Sequence, residues 1–98
     1  MSIVLVGGHE RMHMEYKDIG NKLGHKIKVF TKMPARFEKV IGKPDVMVLF
    51  TSTVSHKMVA IATKEAKRKN IPIIRSHSSS GTSLENALLQ LNSLMAAD

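Results

Sequence analysis

The segment SIVLVGGHE, residues 2–10, decides the fold. Ile3, Val4, Leu5 and Val6 form an unbroken aliphatic run, mostly β-branched, that stops at Gly7-Gly8. It is too short for a signal peptide or a membrane span and has no basic lead-in, so it reads as a buried strand. A strand that is apolar on both faces belongs inside a parallel sheet covered by helices on each side. Beyond the glycines the pattern turns helical: Met12, Tyr16, Ile19 and Leu23 form one apolar stripe that closes near Gly24. A strand running through a glycine turn into an amphipathic helix is the first half of a β-α-β unit.

The rest of the chain repeats that unit. Residues 25–31 alternate around Ile27, Val29 and Phe30 and read as a second strand. Pro34 bars an immediate continuation, and a short helix at about 35–41, carrying Phe37 and Val40, ends at Gly42 and Pro44. Residues 45–50, DVMVLF, are apolar enough for a third strand at the centre of the sheet. Thr51, Ser52 and Thr53 are the expected caps of a helix running to about residue 69. Residues 71–75 read as a fourth strand, and the loop SHSSSGTS, 76–83, leads into a last helix carrying Leu84, Leu88, Leu91 and Leu94. Strand and helix alternating in this way predict an α/β fold: a small open parallel four-stranded sheet, flavodoxin-like or Rossmann-like, in strand order 2-1-3-4, with helices on both faces. With 98 residues and no linker, the expectation is one domain spanning residues 1–98.

Composition narrows the chemistry. A hydrophobic fraction of 43% and a charged fraction of 23% are ordinary globular usage. The absence of cysteine excludes disulfides, thiolate zinc, cysteine-held iron–sulfur clusters and thiol nucleophiles. A net charge of +7 favours anionic partners, among them nucleic acid, phosphate esters and the propionates of a haem. Lys64, Lys67, Arg68 and Lys69 match the negative end of a helix dipole, and three Phe, one Tyr and no Trp provide few stacking platforms. Nucleic acid is therefore not the expected partner, no membrane segment is expected, and the expected location is the cytoplasm.

In an open parallel sheet, ligands bind beyond the carboxyl ends of the strands, where the chain order reverses. Here that point lies between the first and third strands. The loop after the first strand holds Gly7, Gly8, His9 and Glu10. The loop after the third holds Thr51, Ser52 and Thr53, with His56 in the first turn beyond. His77 comes after the fourth strand, so of five histidines only His25 falls at the opposite edge. Residues 9–13, HERMH, match HExxH letter for letter, a pattern that on a helix lets two histidines grip zinc beside a glutamate base. Here the motif straddles a strand-to-helix turn, and a peptidase is not expected. Gly7 and Gly8 before a helix suggest a cradle for an anion, as does the serine-rich loop. The loop TKMPARF, 31–37, places Met33 and Phe37 above the histidine rim, with Arg11, Lys32, Arg36 and Lys57 at its border. An apolar flap bordered by cations suits a flat apolar ligand with acidic tails, and haem fits that description.

The opening IVLVGGHE, the segment DVMVLFTSTVSH and the closing IPIIRS together resemble a bacterial family of domains of unknown function. The pattern is a GGHE turn, a strand ending in Thr followed by VSH, then IP and a serine-rich loop. It matches at Gly7, Gly8, His9, Glu10, Thr51, Ser55, His56 and Ser76 over nearly the whole chain. The resemblance implies a small parallel α/β domain and, because some members bind haem, a haem protein. The combined expectation is haem bound by His9, His13, His56, Arg11, Met33, Arg36, Phe37 and Lys57, with His9, His13 and His56 as iron ligands. Its roles would be gas binding, redox sensing or haem handling. The alternative is a phosphate ligand or a divalent metal at the same point, with Gly7, Gly8, Thr51, Ser52, His77 and Ser78 as anion contacts. A porphyrin is large for this chain, so a homodimer is expected, with Leu84, Leu88, Leu89 and Leu91 available for its contact. No nucleophile, base and orienting group line up to name a reaction.

Overall fold

The computed structural model describes residues 1–96, and the side chains of residues 1–93. Strands β1 (Ser2–Val6), β2 (Lys26–Phe30), β3 (Val46–Phe50) and β4 (Ile73–Ser76) alternate with helices α1 (His13–Lys22), α2 (Phe37–Val40), α3 (His56–Lys69) and α4 (Gly81–Ala96). The sheet is parallel throughout and its order is β2-β1-β3-β4, as the alternation predicts. Among the apolar positions expected in α4, Leu94 lies outside the described side chains.

Period-two alternation divides the core into two layers. Ile3, Leu5, Val46, Val48 and Phe50 point to one face, where Tyr16 of α1 and Leu84 and Leu88 of α4 cover them. Val4, Val6, Met47 and Leu49 point to the other, against Phe37 and Ile41 and against Met58, Ala62 and Ala66 of α3. Both central strands are thus buried on both sides, which explains why their sequences are continuous apolar runs.

Two local expectations are corrected. Helix α3 begins at His56 rather than directly after the third strand, and its cap is Ser55, whose Oγ accepts the Met58 N–H at 3.2 Å. Thr51, Ser52 and Thr53 serve the rim instead. Phe37 is not part of a surface flap: it is 1% exposed and meets Phe30 edge-on at a centroid distance of 5.3 Å. Pro34 and the left-handed Arg36 (φ 55°) turn the chain back so that the first residue of α2 drops into the core.

Candidate functional site

The rim loops are built around two glycines. Gly7 and Gly8 have φ of 102° and 95°, a backbone region hostile to other residues. A Cβ on Gly7 would stand 2.9 Å from the Phe50 carbonyl oxygen, and one on Gly8 would stand 2.8 Å from Tyr16 Cε2. These glycines therefore permit close approach between the β1 turn, the end of β3 and helix α1.

Their N–H groups do not form the expected anion cradle. The Gly7 N–H donates to the Phe30 carbonyl at 2.9 Å, and the Gly8 N–H to Thr53 Oγ1 at 2.9 Å. The next one, of His9, donates to the Tyr16 hydroxyl at 3.2 Å. Tyr16, 0% exposed, donates in turn to the Ser79 carbonyl at 2.7 Å, and Thr53 Oγ1 meets Ser79 Oγ at 2.6 Å. One tyrosine, one threonine and one serine thus tie together the loops after β1, β3 and β4. The hydroxyls among the remaining expected anion contacts also donate internally, Ser52 Oγ to the His77 carbonyl, Thr51 Oγ1 to the Ser76 carbonyl at 3.5 Å and Ser78 Oγ to Ser80 Oγ at 3.3 Å, while the His77 ring is exposed. Ser80 caps α4 by accepting the Ser83 N–H at 3.1 Å.

Sequence reading misses this triad. Along the chain Tyr16 is one position in an apolar stripe, Thr53 a cap and Ser79 one serine in a biased loop. The available signal is that Tyr16 is the single tyrosine and lies on a buried face, where a phenol needs a hydrogen-bond partner.

The histidines separate by environment. His9 is extended (φ −93°, ψ 131°), Glu10–Met12 form one 3₁₀ turn, and His13 opens α1. His9 and His13 therefore do not share a helical face, and the HExxH letters do not make the zinc grip they spell. Among the described residues no three His, Asp or Glu side chains gather as a metal-holding group. His9, His56 and His77 are exposed, as are Arg11, Arg36 and Lys57. Met33 is 37% exposed, and Glu10 pairs with Lys32 at 3.0 Å, tying the TKMPARF loop to the GGHE turn.

Of the rim histidines, His13 lines a groove. This groove, about 310 Å³, is lined by Val29, by Phe30 and Val40 as its apolar side chains, and by Lys17 and Lys28 as its cations. Lys28 Nζ also reaches the Val40 carbonyl at 3.4 Å. His25, at the opposite edge, is structural: it is 7% exposed, its Nδ1 accepts from the Met1 nitrogen at 3.1 Å, and its Nε2–H donates to Asn92 Oδ1 at 2.8 Å. Of the basic cluster ending α3, Arg68 and Lys69 pair with Glu65 at 2.7 and 3.5 Å. The Arg68 hydrogen bond leads in holding the Glu65 carboxyl below its ordinary range, partial burial opposes it, and the charges of Arg68 and Lys69 add to it.

Residues 2–91 match the model of a bacterial family described as "Uncharacterized protein conserved in bacteria (DUF2325)". The chain belongs to this family. No curated protein matches the DUF2325 chain in sequence. Among solved structures it is similar to a de novo designed Rossmann fold protein, at 14% identity and a TM-score of 0.62, covering 95% of this chain and 99% of that one. It is also similar to the lactose-specific IIB component domain of the phosphoenolpyruvate:carbohydrate phosphotransferase system from Streptococcus pneumoniae, at 11% identity and a TM-score of 0.61, covering 95% of each chain. At these identities the likeness speaks for the Rossmann-like architecture of the family member and for nothing finer. Among the described residues no helix is long and apolar enough to cross a membrane.

Proposed function

We propose that this protein binds haem in the cytoplasm and holds the iron through His13. The observation that carries the reading is the groove at the carboxyl end of β2: a half-buried imidazole beside the apolar side chains of Phe30 and Val40, with Lys17 and Lys28 at its border. Those groups match a flat apolar macrocycle with two carboxylates and an iron that accepts imidazole nitrogen. Haem would supply the redox and gas-binding chemistry. The chain's own part is to present the His13 ring, shield one face of the ligand from water and pair lysines with the acidic tails.

The groove lies at the small end of the range for ligand sites, about 300–1,000 Å³. It covers one side of a porphyrin and leaves the rest to solvent or to a second copy of the chain. His9 and His56, exposed on the same rim, are the further candidates for the iron. The phosphate alternative loses its main support, because the Gly7 and Gly8 N–H groups already have partners.

A titration with haemin, oxidised and then reduced, tests the reading. A saturable, sharp Soret band that weakens in His13→Ala, with affinity lowered in Lys17→Ala and Lys28→Ala, supports it. A broad spectrum like that of free haemin, unchanged in His13→Ala and in the His9→Ala/His56→Ala double variant, refutes it.

A further inference from the structure

Strand β2 is an edge strand: among the described residues it pairs with β1 and has no neighbour on its other side. The Lys26 N–H donates to the Met1 carbonyl and the Phe30 carbonyl accepts from the Gly7 N–H. A parallel ladder alternates, so Lys26, Lys28 and Phe30 turn their backbone groups towards β1. Ile27 and Val29 therefore turn theirs outward, presenting two N–H donors and two carbonyl acceptors. Their side chains meanwhile stay in the core.

Grooves run along this edge. Besides the one at His13, a groove of about 360 Å³ is lined by Ser2, Lys17, Asn21, Lys26, Ile27 and Lys28. Another, of about 450 Å³, continues past Asn21 and Lys26 to Gly24 and His25. The cations come from two layers, Lys17 from α1 and Lys26 and Lys28 from the strand, so both walls of the trough are basic.

We propose that the β2 edge receives an extended acidic segment of a partner protein as a fifth strand of the sheet. Main-chain hydrogen bonds to Ile27 and Val29 supply the register, and carboxylates opposite Lys17, Lys26 and Lys28 supply the selectivity. A second copy of this chain fits the same edge poorly. An antiparallel β2–β2 pairing that uses the outward groups of Ile27 and Val29 is centred on Lys28 and sets that residue against its own copy, and like charges directly opposite are destabilising.

The test is independent of the haem reading and uses haem-free protein, since a haem in the His13 groove would share Lys17 and Lys28. A blocked hexapeptide, Glu-Glu-Val-Glu-Glu-Val, which as a strand carries carboxylates on both faces, and a control with Lys in place of each Glu, are titrated into the labelled full chain while amide resonances and hydrogen exchange are followed. The expected result is exchange at Ile27 and Val29 slowed by the acidic peptide alone, with affinity falling as salt rises. Reversing two cations, Lys17→Glu with Lys28→Glu, should lower that affinity by at least about tenfold. The peptide swap on the unmodified chain keeps the test valid even if that double variant folds badly. Equal response to both peptides, no response, or perturbation centred on the end of α3 would overturn the proposal. So would Ile27 and Val29 amides already protected in a sedimenting dimer, which would make the occupant a second copy.

Discussion

Replacing Tyr16 by Phe removes one oxygen atom and keeps the ring that packs against Phe50 at a centroid distance of 5.5 Å. That oxygen accepts the His9 N–H and donates to the Ser79 carbonyl at 2.7 Å. The two losses are unequal. The His9–Tyr16 bond is part-buried, whereas the Tyr16–Ser79 bond is buried and its carbonyl loses a donor that water replaces poorly. A buried group left unsatisfied costs about 1–3 kcal/mol, and that is the expected loss of folding free energy. For a domain of this size each kcal/mol is worth about 4–8 °C in Tm. Urea unfolding followed by far-UV circular dichroism measures the free energy, and native-state hydrogen exchange locates the change. The expected pattern is a lower midpoint with an unchanged slope, together with faster exchange at Gly8 and His9 but not in the centre of β3. A loss below about 0.5 kcal/mol, within the ordinary scatter of surface substitutions, would show that Tyr16 does not brace the three loops.

Gly8→Ala forces a side chain into a strained backbone region and against the Tyr16 ring, so it should destabilise by about 1–3 kcal/mol, measurable in the same urea experiment. Phe37→Ala empties a core position and should cost about 3–5 kcal/mol by urea unfolding. The Glu65 carboxyl is held below its ordinary range in the folded state, so its contribution is present above its unfolded pKa and is lost as pH falls through the folded one. Urea midpoints measured from neutral pH into acid should therefore fall less steeply for Glu65→Gln than for the parent chain.

The sheet was legible because both central strands carry their burial in composition alone. SIVLV and VMVLF are apolar on both faces, and only a helix-covered parallel sheet accommodates two such strands joined by amphipathic helices. The alternation in KIKVF likewise marks β2 as a strand with one well-covered face. The resemblance carried on GGHE and VSH agrees with the family that the chain matches. Within the site, the placement of four histidines at the rim and of His25 at the other edge came from strand ends, which sequence reads well.

Phe37 and the glycines show where that reading stops. An aromatic residue after a Pro-containing loop reads equally as a flap or as a core plug. The difference is made by the left-handed turn at Arg36 and the space between β1 and α3, neither of which is local in sequence. Gly7-Gly8 before a helix reads equally as an anion cradle or as a tight turn, and the choice rests on whether their N–H groups find partners. Those partners, Phe30 and Thr53, lie far along the chain. By itself, then, the sequence determined the order of elements, the two buried strands, the edge each histidine occupies and the excess of positive charge, because all of these depend on local periodicity and composition. Only the tertiary structure decided that Tyr16, Thr53 and Ser79 lock the rim, that His13 stands beside a groove, and that the backbone of Ile27 and Val29 faces outward. Hydrogen-bond partners and cavities are set by which distant segments the packed core brings within about 3 Å of one another.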